Sequence, residues 1–259
     1  MPNLEDMLFY DVIGLSTKIG SMRIIDSIMK DIESISYENK PLVIFGDLIA
    51  TFATDQLLTK YPNSICVIGE GEKSLLDIIK YLSKYQKDTD EFRYALLQNN
   101  VPNLGFVYRG KKIFTDRKLL NLAECPPPER DFVSKIRKLG GIIRTEASRG
   151  CSWGKCSFCA IQHKYCGQAK WRKISIKRIT KELEILSELG IRSPFYTDED
   201  FIGNNPSRAI ELAEEIIKLK KQERIAPELN LYIDMRAESI LLKRKNGNPS
   251  GIQVIKKMK

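Results

Sequence analysis

Three of the six cysteines fall within nine residues and form the pattern C-x4-C-x2-C at Cys151, Cys156 and Cys159. Thiolates are soft ligands that select zinc, copper(I) or iron–sulfur clusters. An iron–sulfur cubane normally takes four thiolates, but the next cysteine, Cys166, lies seven residues further along the chain. With three protein ligands, one iron keeps an open position for a substrate or cofactor. The spacing therefore predicts a [4Fe–4S] cluster with one accessible iron.

Two other interpretations of these cysteines stay open. The only histidine, His163, follows Cys159 by four residues, so a tetrahedral zinc site with three cysteines and one histidine is one alternative. In the other alternative, the cysteines carry no metal and pack as small apolar side chains.

The composition is that of an ordinary soluble globular protein, with 259 residues, 42% hydrophobic and 29% charged. This length allows about two domains of ~100–200 residues each. No apolar run approaches the ~20 residues that span a bilayer, and the N-terminus lacks the features of a signal peptide. We therefore expect a cytoplasmic protein without a membrane partner. In the reducing cytoplasm, clustered cysteines bind metal more often than they form disulfides.

The net charge of +9 comes partly from a basic run between residues 164 and 181, which contains no acidic residue. Such a run is usually a solvated surface. A phosphate- or RNA-facing patch is the alternative, and a nucleic-acid partner is not favoured.

In the first half of the chain, apolar runs at 11–16, 42–46 and 65–69 alternate with helical patterns at 19–35, 53–60 and 72–85. This alternation predicts an open parallel sheet with helices on both faces. Ligands bind such sheets at the carboxyl ends of the strands. A hairpin over 105–115 follows, and then three prolines, 126–128, that cannot continue a helix or a central strand.

In the second half, a strand at 141–147 leads into the cysteine loop. Ser175 is a predicted N-cap for a helix that ends at Gly190, and Asn205 caps the next helix with Pro206 at its first position. Further strands are predicted at 193–201 and 229–236. The pattern predicts three βα units, and the basic and acidic residues at their strand ends are candidate ligand contacts.

The run S-R-G-C-x4-C-x-F-C resembles the cluster loop of the radical S-adenosylmethionine (SAM) superfamily, in particular the branch with an N-terminal cobalamin-binding domain. The usual spacing there is C-x3-C-x2-C, and we expect the extra residue to be absorbed around Gly154. The resemblance implies a flavodoxin-like, cobalamin-binding-like domain at 1–100 without the family's first strand, a hairpin and Pro-rich linker at 101–140, and a partial (β/α) barrel at 141–259. Only three of the usual six βα units are present, so we expect a chain truncated at both ends.

The resemblance also implies a reaction and its partners. The open iron would hold the amino and carboxylate groups of SAM and pass it an electron, giving a 5′-deoxyadenosyl radical that attacks an unknown substrate. Flavodoxin or ferredoxin would be the reductant. The implied SAM contacts are the adenine neighbour Phe158, the carboxylates of Asp198, Glu199 and Asp200, and the strand-end residues Arg236 and Glu238. The alternative for each charged residue is an ordinary surface salt bridge.

Three segments resemble the cobalamin-binding domain. Gly69-Glu70-Gly71-Glu72 matches its G-E-G-E signature, and the segment from Gly46 to Thr51 is similar to G-G-P-H-A-T. The implied cobalamin contacts are Ser16, Thr17, Gly46, Thr51, Gly69, Glu70 and Gly71. The family's D-x-H-x-x-G loop is absent and Asp47 replaces a glycine, so a degenerate domain kept for packing is the alternative. If cobalamin binds, methyl transfer is implied, and we expect no histidine on cobalt because His163 lies in the other predicted domain.

A rival function stays open beside the radical SAM enzyme. The chain is then a non-catalytic zinc- or cluster-binding module that contacts RNA through its basic run, or an inactive truncated fragment. The sequence identifies neither the substrate nor the oligomeric state.

Overall fold

A computed structural model describes residues 7, 9–36, 40–87, 89–168, 170–241 and 249–258. The chain forms two compact units. The first comprises Met1–Leu120 together with Gln162–Gly167, and the second comprises Asn121–Ile161 together with Gln168–Lys259.

The first unit is built on a five-stranded mixed sheet in the order β1-β2-β3-β4-β5. Strands β1 to β3 are parallel, as predicted, whereas β4 and β5 are antiparallel. The strands are β1 (Val12–Ser16), β2 (Leu42–Gly46), β3 (Ile65–Val67), β4 (Leu104–Tyr108) and β5 (Lys111–Phe114). Its helices, after a short 3-10 turn at Ile19–Ser21, are α1 (Met22–Glu33), α2 (Asp47–Phe52), α3 (Thr54–Lys60), α4 (Glu72–Leu82) and α5 (Asp90–Gln98).

Both faces of this sheet are covered by apolar side chains. Val43 and Phe45 of β2 join a core with Met29 and Leu58 on one face. Leu42 and Ile44 face the other side and join a core with Phe92 and Leu104. Burial on both faces explains why β2 is a continuous apolar run rather than an alternating one.

The predicted hairpin belongs to the first unit rather than to a linker. We assigned it with the prolines to 101–140, but β4 pairs antiparallel with β3, and Leu104 and Phe106 are fully buried. The first unit therefore extends to Leu120 instead of residue 100. The edge of β3 needs hydrogen-bond partners, and β4 supplies them.

The second unit contains short strands and longer helices. Strand β6 (Arg144–Thr145) is parallel to β9 (Phe195–Tyr196), and β7 (Ser148–Arg149) is antiparallel to β8 (Arg172–Lys173). The strand predicted at 229–236 is reduced to one parallel bridge between Tyr232 and Phe195. The helices are α6 (Val133–Lys138), α7 (Ile161–Lys164), which crosses the boundary between the units, α8 (Ile176–Glu188), α9 (Pro206–Lys221), α10 (Ala237–Leu241) and α11 (Gly251–Met258).

The two predicted N-caps of this unit are confirmed. The Ser175 hydroxyl accepts a hydrogen bond from the Arg178 amide at 3.3 Å, and the side-chain oxygen Oδ1 of Asn205 accepts one from the Arg208 amide at 3.1 Å. Both bonds satisfy amides that the first turn of a helix leaves unpaired. Within the described residues, no helix is both long and apolar enough to cross a membrane.

Candidate functional site

The cysteine loop starts at Gly150, directly after β7. Gly150 has φ +89°, and a Cβ atom there would lie 2.3 Å from the backbone oxygen of Lys170. Only glycine combines this left-handed backbone with such a close approach. Gly150 therefore directs the chain out of the β7–β8 pair and into the loop.

The three cysteines differ in exposure. Cys151 is buried, Cys159 is half-buried and Cys156 is exposed. The Cys159 amide donates to the Cys156 carbonyl oxygen at 3.0 Å, so a tight turn separates these two residues. Among the described residues, His, Cys, Asp and Glu side chains do not gather in any group of three that could hold a metal. The loop thus supplies three thiols of the right chemistry without bringing their sulfur atoms together.

The segment after the cysteine loop belongs to the first unit, which corrects our assignment of His163 to the other domain. The Arg117 guanidinium donates to the backbone oxygens of His163 at 3.3 Å and Lys164 at 3.1 Å. A Cβ atom at Gly69, where φ is +79°, would lie 2.9 Å from the Lys164 oxygen. This segment therefore packs against the loop that follows β3.

The three consecutive carboxylates after β9 face protein donors. Asp198 accepts hydrogen bonds from the Ala147 amide at 2.9 Å and from the Ser148 hydroxyl. Glu199 accepts from the Gly150 amide at 2.9 Å. From the sequence we had expected Asp198 to contact the amino group of SAM. Because Asp198 is 2% exposed, its carboxylate is not available for that contact.

Asp200 is fully buried and holds the start of the cysteine loop. Its carboxylate accepts from the Ser152 hydroxyl at 2.7 Å and from the Gly203 amide at 3.3 Å. One cation lies close to this carboxylate, since an Arg236 nitrogen is 3.9 Å from an Asp200 oxygen. That cation belongs to the protein, so Asp198 and Asp200 are left out of the SAM site that we propose below.

Arg236 lies beside the residues that follow Cys151. Its guanidinium donates to the Ser152 hydroxyl at 2.9 Å, pairs with the Glu238 carboxylate, and lies 5.7 Å from the centre of the Trp153 ring. The predicted adenine neighbour, Phe158, is 91% exposed. Glu238 and Phe158 are therefore exposed and Arg236 is half-buried, in contrast to the buried Asp198 and Asp200.

Two residues that sequence reasoning did not assign support this region, the buried Arg208 and the half-buried Trp171. Arg208 donates to the backbone oxygens of Ala147 at 2.9 Å and Ile174 at 2.8 Å. The Trp171 indole donates to the Ser148 hydroxyl at 3.0 Å and to the Asp200 backbone oxygen at 2.8 Å. The one sign of this packing in the sequence is the glycine at position 203. A Cβ atom at Gly203 would lie 2.3 Å from the Trp171 ring.

Burial raises the pKa of Asp198 from its ordinary value of 3.8 to about 6, although hydrogen bonds from Ser148 and Ala147 act in the opposite direction. The folded state therefore keeps this proton over a pH interval in which the unfolded chain has lost it. By linkage, the contribution of Asp198 to the free energy of unfolding falls as the pH rises from about 4 to about 6 and is constant above that range.

We expect this pH dependence to disappear in Asp198→Asn. The difference in free energy of unfolding between wild type and variant should change by about 2 kcal/mol between pH 4 and pH 6.5, since a shift from 3.8 to about 6 is worth ~1.4 kcal/mol per pKa unit and part of it is already lost at pH 4. Urea unfolding at several pH values measures it. The constant offset from the altered hydrogen bonds cancels in this comparison, and parallel profiles for the two proteins would contradict the assignment.

In the first unit, the predicted cobalamin contacts meet at the carboxyl ends of β1, β2 and β3. The buried Thr17 hydroxyl donates to the Gly46 oxygen at 2.6 Å and accepts from the Ala50 amide at 2.9 Å. The Thr51 hydroxyl accepts from the Gly69 amide at 3.0 Å. These bonds tie the three strand ends to one another.

Asp47 occupies the position at which the resembled family has glycine, and its φ is +74°. A non-glycine residue rarely adopts this conformation. The Ser16 hydroxyl donates to the Asp47 carboxylate at 2.8 Å, which holds the strained residue. The backbone geometry of a glycine position is thus kept although the residue has changed.

The G-E-G-E segment has mainly internal contacts. Glu70 is buried and accepts from the Leu120 amide at 2.9 Å. Gly71 precedes α4, and a Cβ atom there would lie 2.9 Å from a methyl group of Val67. An added Cβ at Gly46, by contrast, meets no atom within 4 Å, so this edge offers open space at Gly46.

Comparison with known proteins confirms the resemblance to cobalamin-dependent radical SAM enzymes. The chain is 30% identical over 231 residues to 4′-phospho-dehydrooxetanocin synthase of Priestia megaterium, covering 83% of this chain and 29% of that protein. It is also 30% identical over 138 residues to hopanoid C-2 methylase of Rhodopseudomonas palustris (strain TIE-1), covering 51% of this chain and 25% of that protein. The chain therefore spans less than a third of these relatives. No family model matches it.

Solved structures agree in fold. The cobalamin-dependent SAM radical enzyme OxsB, with aqua-cobalamin bound, has a TM-score of 0.79 and 25% identity, covering 99% of this chain and 36% of that chain. The radical SAM methyltransferase TsrM from Kitasatospora setae, with cobalamin and a [4Fe–4S] cluster bound, has a TM-score of 0.66 and 17% identity, covering 89% of this chain and 45% of that chain. The TsrM likeness concerns the fold alone.

Proposed function

We propose that this chain is part of a cobalamin-dependent radical SAM enzyme, with a cobalamin-binding first unit and a cluster-binding second unit. The observation that carries the proposal is the cysteine loop, which leaves β7 through an obligatory glycine and presents three thiols on irregular chain. The likeness to OxsB over 99% of the chain supports both halves of the proposal.

Cys151, Cys156 and Cys159 would hold the cluster, since three thiolates suit iron–sulfur chemistry and leave one coordination position for SAM. When bound, the cluster would supply the electron that cleaves SAM into methionine and a 5′-deoxyadenosyl radical. The chain's own contribution is positional. The buried Cys151 is held between Gly150 and Ser152, whose amide and hydroxyl are bonded to Glu199 and Asp200.

For SAM, we propose Arg236, Glu238 and Phe158 as contacts. A guanidinium grips a carboxylate through two parallel hydrogen bonds, so Arg236 suits the carboxylate of SAM. Glu238, its present partner, is exposed and suits a ribose hydroxyl. Phe158 offers an exposed ring on which adenine can stack. Glu199 is half-buried and stays a candidate for the amino group.

For cobalamin, we propose the edge formed by Ser16, Thr17, Gly46, Thr51, Gly69, Glu70 and Gly71. The open space at Gly46 and the exposed apolar side chains of Ile19, Leu48 and Phe52 nearby in sequence suit a large flat cofactor. We predict that cobalt has no histidine ligand, because the D-x-H-x-x-G loop is absent from the chain. The alternative is a degenerate domain that is kept for packing and does not bind cobalamin.

The substrate is not proposed, since the relatives act on different molecules. TsrM was solved with tryptophan substrate and a SAM analogue bound, and the hopanoid methylase takes its name from another class of compound. A flavodoxin or ferredoxin as reductant, methyl transfer as the reaction and a cytoplasmic location all stay proposals.

Reductive cleavage of SAM tests the proposed function. After anaerobic reconstitution with iron and sulfide, the protein should form 5′-deoxyadenosine from SAM when dithionite is added, as measured by liquid chromatography with mass spectrometry. Cys156→Ala should form none. A colourless protein with one zinc per chain and no SAM cleavage would instead support the zinc-binding module.

A further inference from the structure

We propose that Asp198, Glu199 and Asp200 are positioning residues that extend the β6–β9 ladder by side chains and so hold Cys151 in place. This inference rests on the proposed function and assigns the Asp198 and Asp200 carboxylates to the chain itself, while Glu199 bonds Gly150 through one carboxylate oxygen.

The ladder between β6 and β9 ends at Thr197. The Thr197 amide donates to the Thr145 oxygen at 2.9 Å, and the Thr197 hydroxyl donates to the same oxygen at 3.1 Å. The backbones then separate, because the first chain goes on to pair with β8 through Ser148 and Arg149. Backbone amides that leave a ladder need other acceptors, since an unpaired buried amide is costly.

The three carboxylates provide these acceptors in sequence. Asp198 bonds the amide of Ala147, Glu199 bonds the amide of Gly150, and Asp200 bonds the hydroxyl of Ser152. Both chains advance in the same direction, as in the parallel pair that precedes them. The first two rungs are therefore charge-assisted counterparts of sheet hydrogen bonds, and the third binds a hydroxyl instead of an amide.

The last two rungs flank Cys151. Glu199 holds the residue before it and Asp200 holds the residue after it, while Arg236 donates to the same Ser152 hydroxyl at 2.9 Å. Cys151 is buried, whereas Cys156, five residues later and beyond the rungs, is exposed. The buried thiol, Cys151, is thus the one that lies between two carboxylate bonds, and the exposed thiol, Cys156, lies outside them.

Alkylation of the protein without cluster tests the inference independently of the radical chemistry. The full chain is treated with iodoacetamide, and the rate at each cysteine is measured by peptide mass spectrometry. Glu199→Gln and Asp200→Asn should raise the rate at Cys151 about tenfold or more, because each weakens a hydrogen bond to a charged acceptor. The rate at Cys156 should stay unchanged, since this thiol is already exposed.

Asp234→Asn is the matched control, because Asp234 is an exposed carboxylate of the same unit and its variant should alkylate as wild type does. Ser152→Ala removes the hydroxyl that donates to Asp200 and leaves the Asp200 carboxylate itself unchanged, so it too should raise the rate at Cys151, and the double variant should add little. Far-ultraviolet circular dichroism excludes general unfolding. After reconstitution, the ladder variants should hold less iron per chain than the control.

Wild-type rates at Cys151 in Glu199→Gln, Asp200→Asn and Ser152→Ala would overturn the inference. Reconstituted wild type without iron would overturn the proposed function but leave the alkylation result standing. If wild type binds iron and every ladder variant binds as much, with an unchanged electron paramagnetic resonance signal, the carboxylates do not position the cluster ligand.

Discussion

Replacing any one of Cys151, Cys156 and Cys159 by alanine is expected to abolish the cluster. Wild type should hold about four iron and four sulfide per chain after anaerobic reconstitution, the content of one cubane. Each variant lacks one of three protein ligands, so it should retain little iron and should not cleave SAM. Iron and sulfide assays, together with the visible absorption of the protein, measure the effect.

The other three cysteines are matched controls. Cys66 is fully buried in the sheet of the first unit, and burial raises its pKa to about 12. Because the thiolate is the form that binds metal, Cys66 is unsuited as a ligand at neutral pH. Cys66→Ala, Cys125→Ala and Cys166→Ala should therefore keep the full cluster. Loss of iron in Cys166→Ala, with iron retained in Cys151→Ala, would show that the ligand assignment is wrong.

Gly150→Ala is expected to destabilise the second unit by about 3 kcal/mol or more, from backbone strain together with steric overlap. The added methyl group would meet the backbone oxygen of Lys170 at 2.3 Å, and backbone cannot move aside as a flexible side chain can. The β7–β8 pair should open, and the cluster content should fall with it. Thermal or urea unfolding followed by circular dichroism gives the stability.

Gly140→Ala is a control that distinguishes the steric overlap with Lys170 from the backbone strain of a residue with positive φ. Gly140 also has a left-handed backbone, with φ +70°, but an added Cβ there meets nothing within 4 Å. This variant should cost about 1–2 kcal/mol, the usual penalty for a side chain in that conformation, and should keep its iron. Equal losses of stability in the two variants would mean that the contact with Lys170 is unimportant.

The helices of this protein were largely predictable from the sequence, because their signals are local. In α1, for example, Ile25, Ile28, Met29 and Ile32 recur at helical spacing, and all four are buried. Ser175 and Asn205 cap their helices because a side chain need reach only three residues along the chain. The strands of the second unit were predicted too long, since strand length depends on a partner that lies far away in sequence.

The kind of metal site and the positions that require glycine could also be predicted from the sequence. Three cysteines at fixed spacing imply a soft-ligand site in any fold, and the Ser148-to-Cys159 pattern resembles one superfamily. Gly150 and Gly69 occupy positions where the backbone has positive φ, and a glycine in a loop motif signals such a position. These inferences need only residue types and short spacings.

The roles of the charged residues were decided by the tertiary structure alone. Asp198, Glu199 and Asp200 have the same sequence signature whether they face SAM or an amide, and their partners are about 50 residues away. Likewise, nothing in the sequence around Arg208 shows that it is buried against Ala147 and Ile174. A hydrogen-bonding side chain reveals its chemistry in the sequence, but its partner depends on which distant segments the fold brings within about 3 Å.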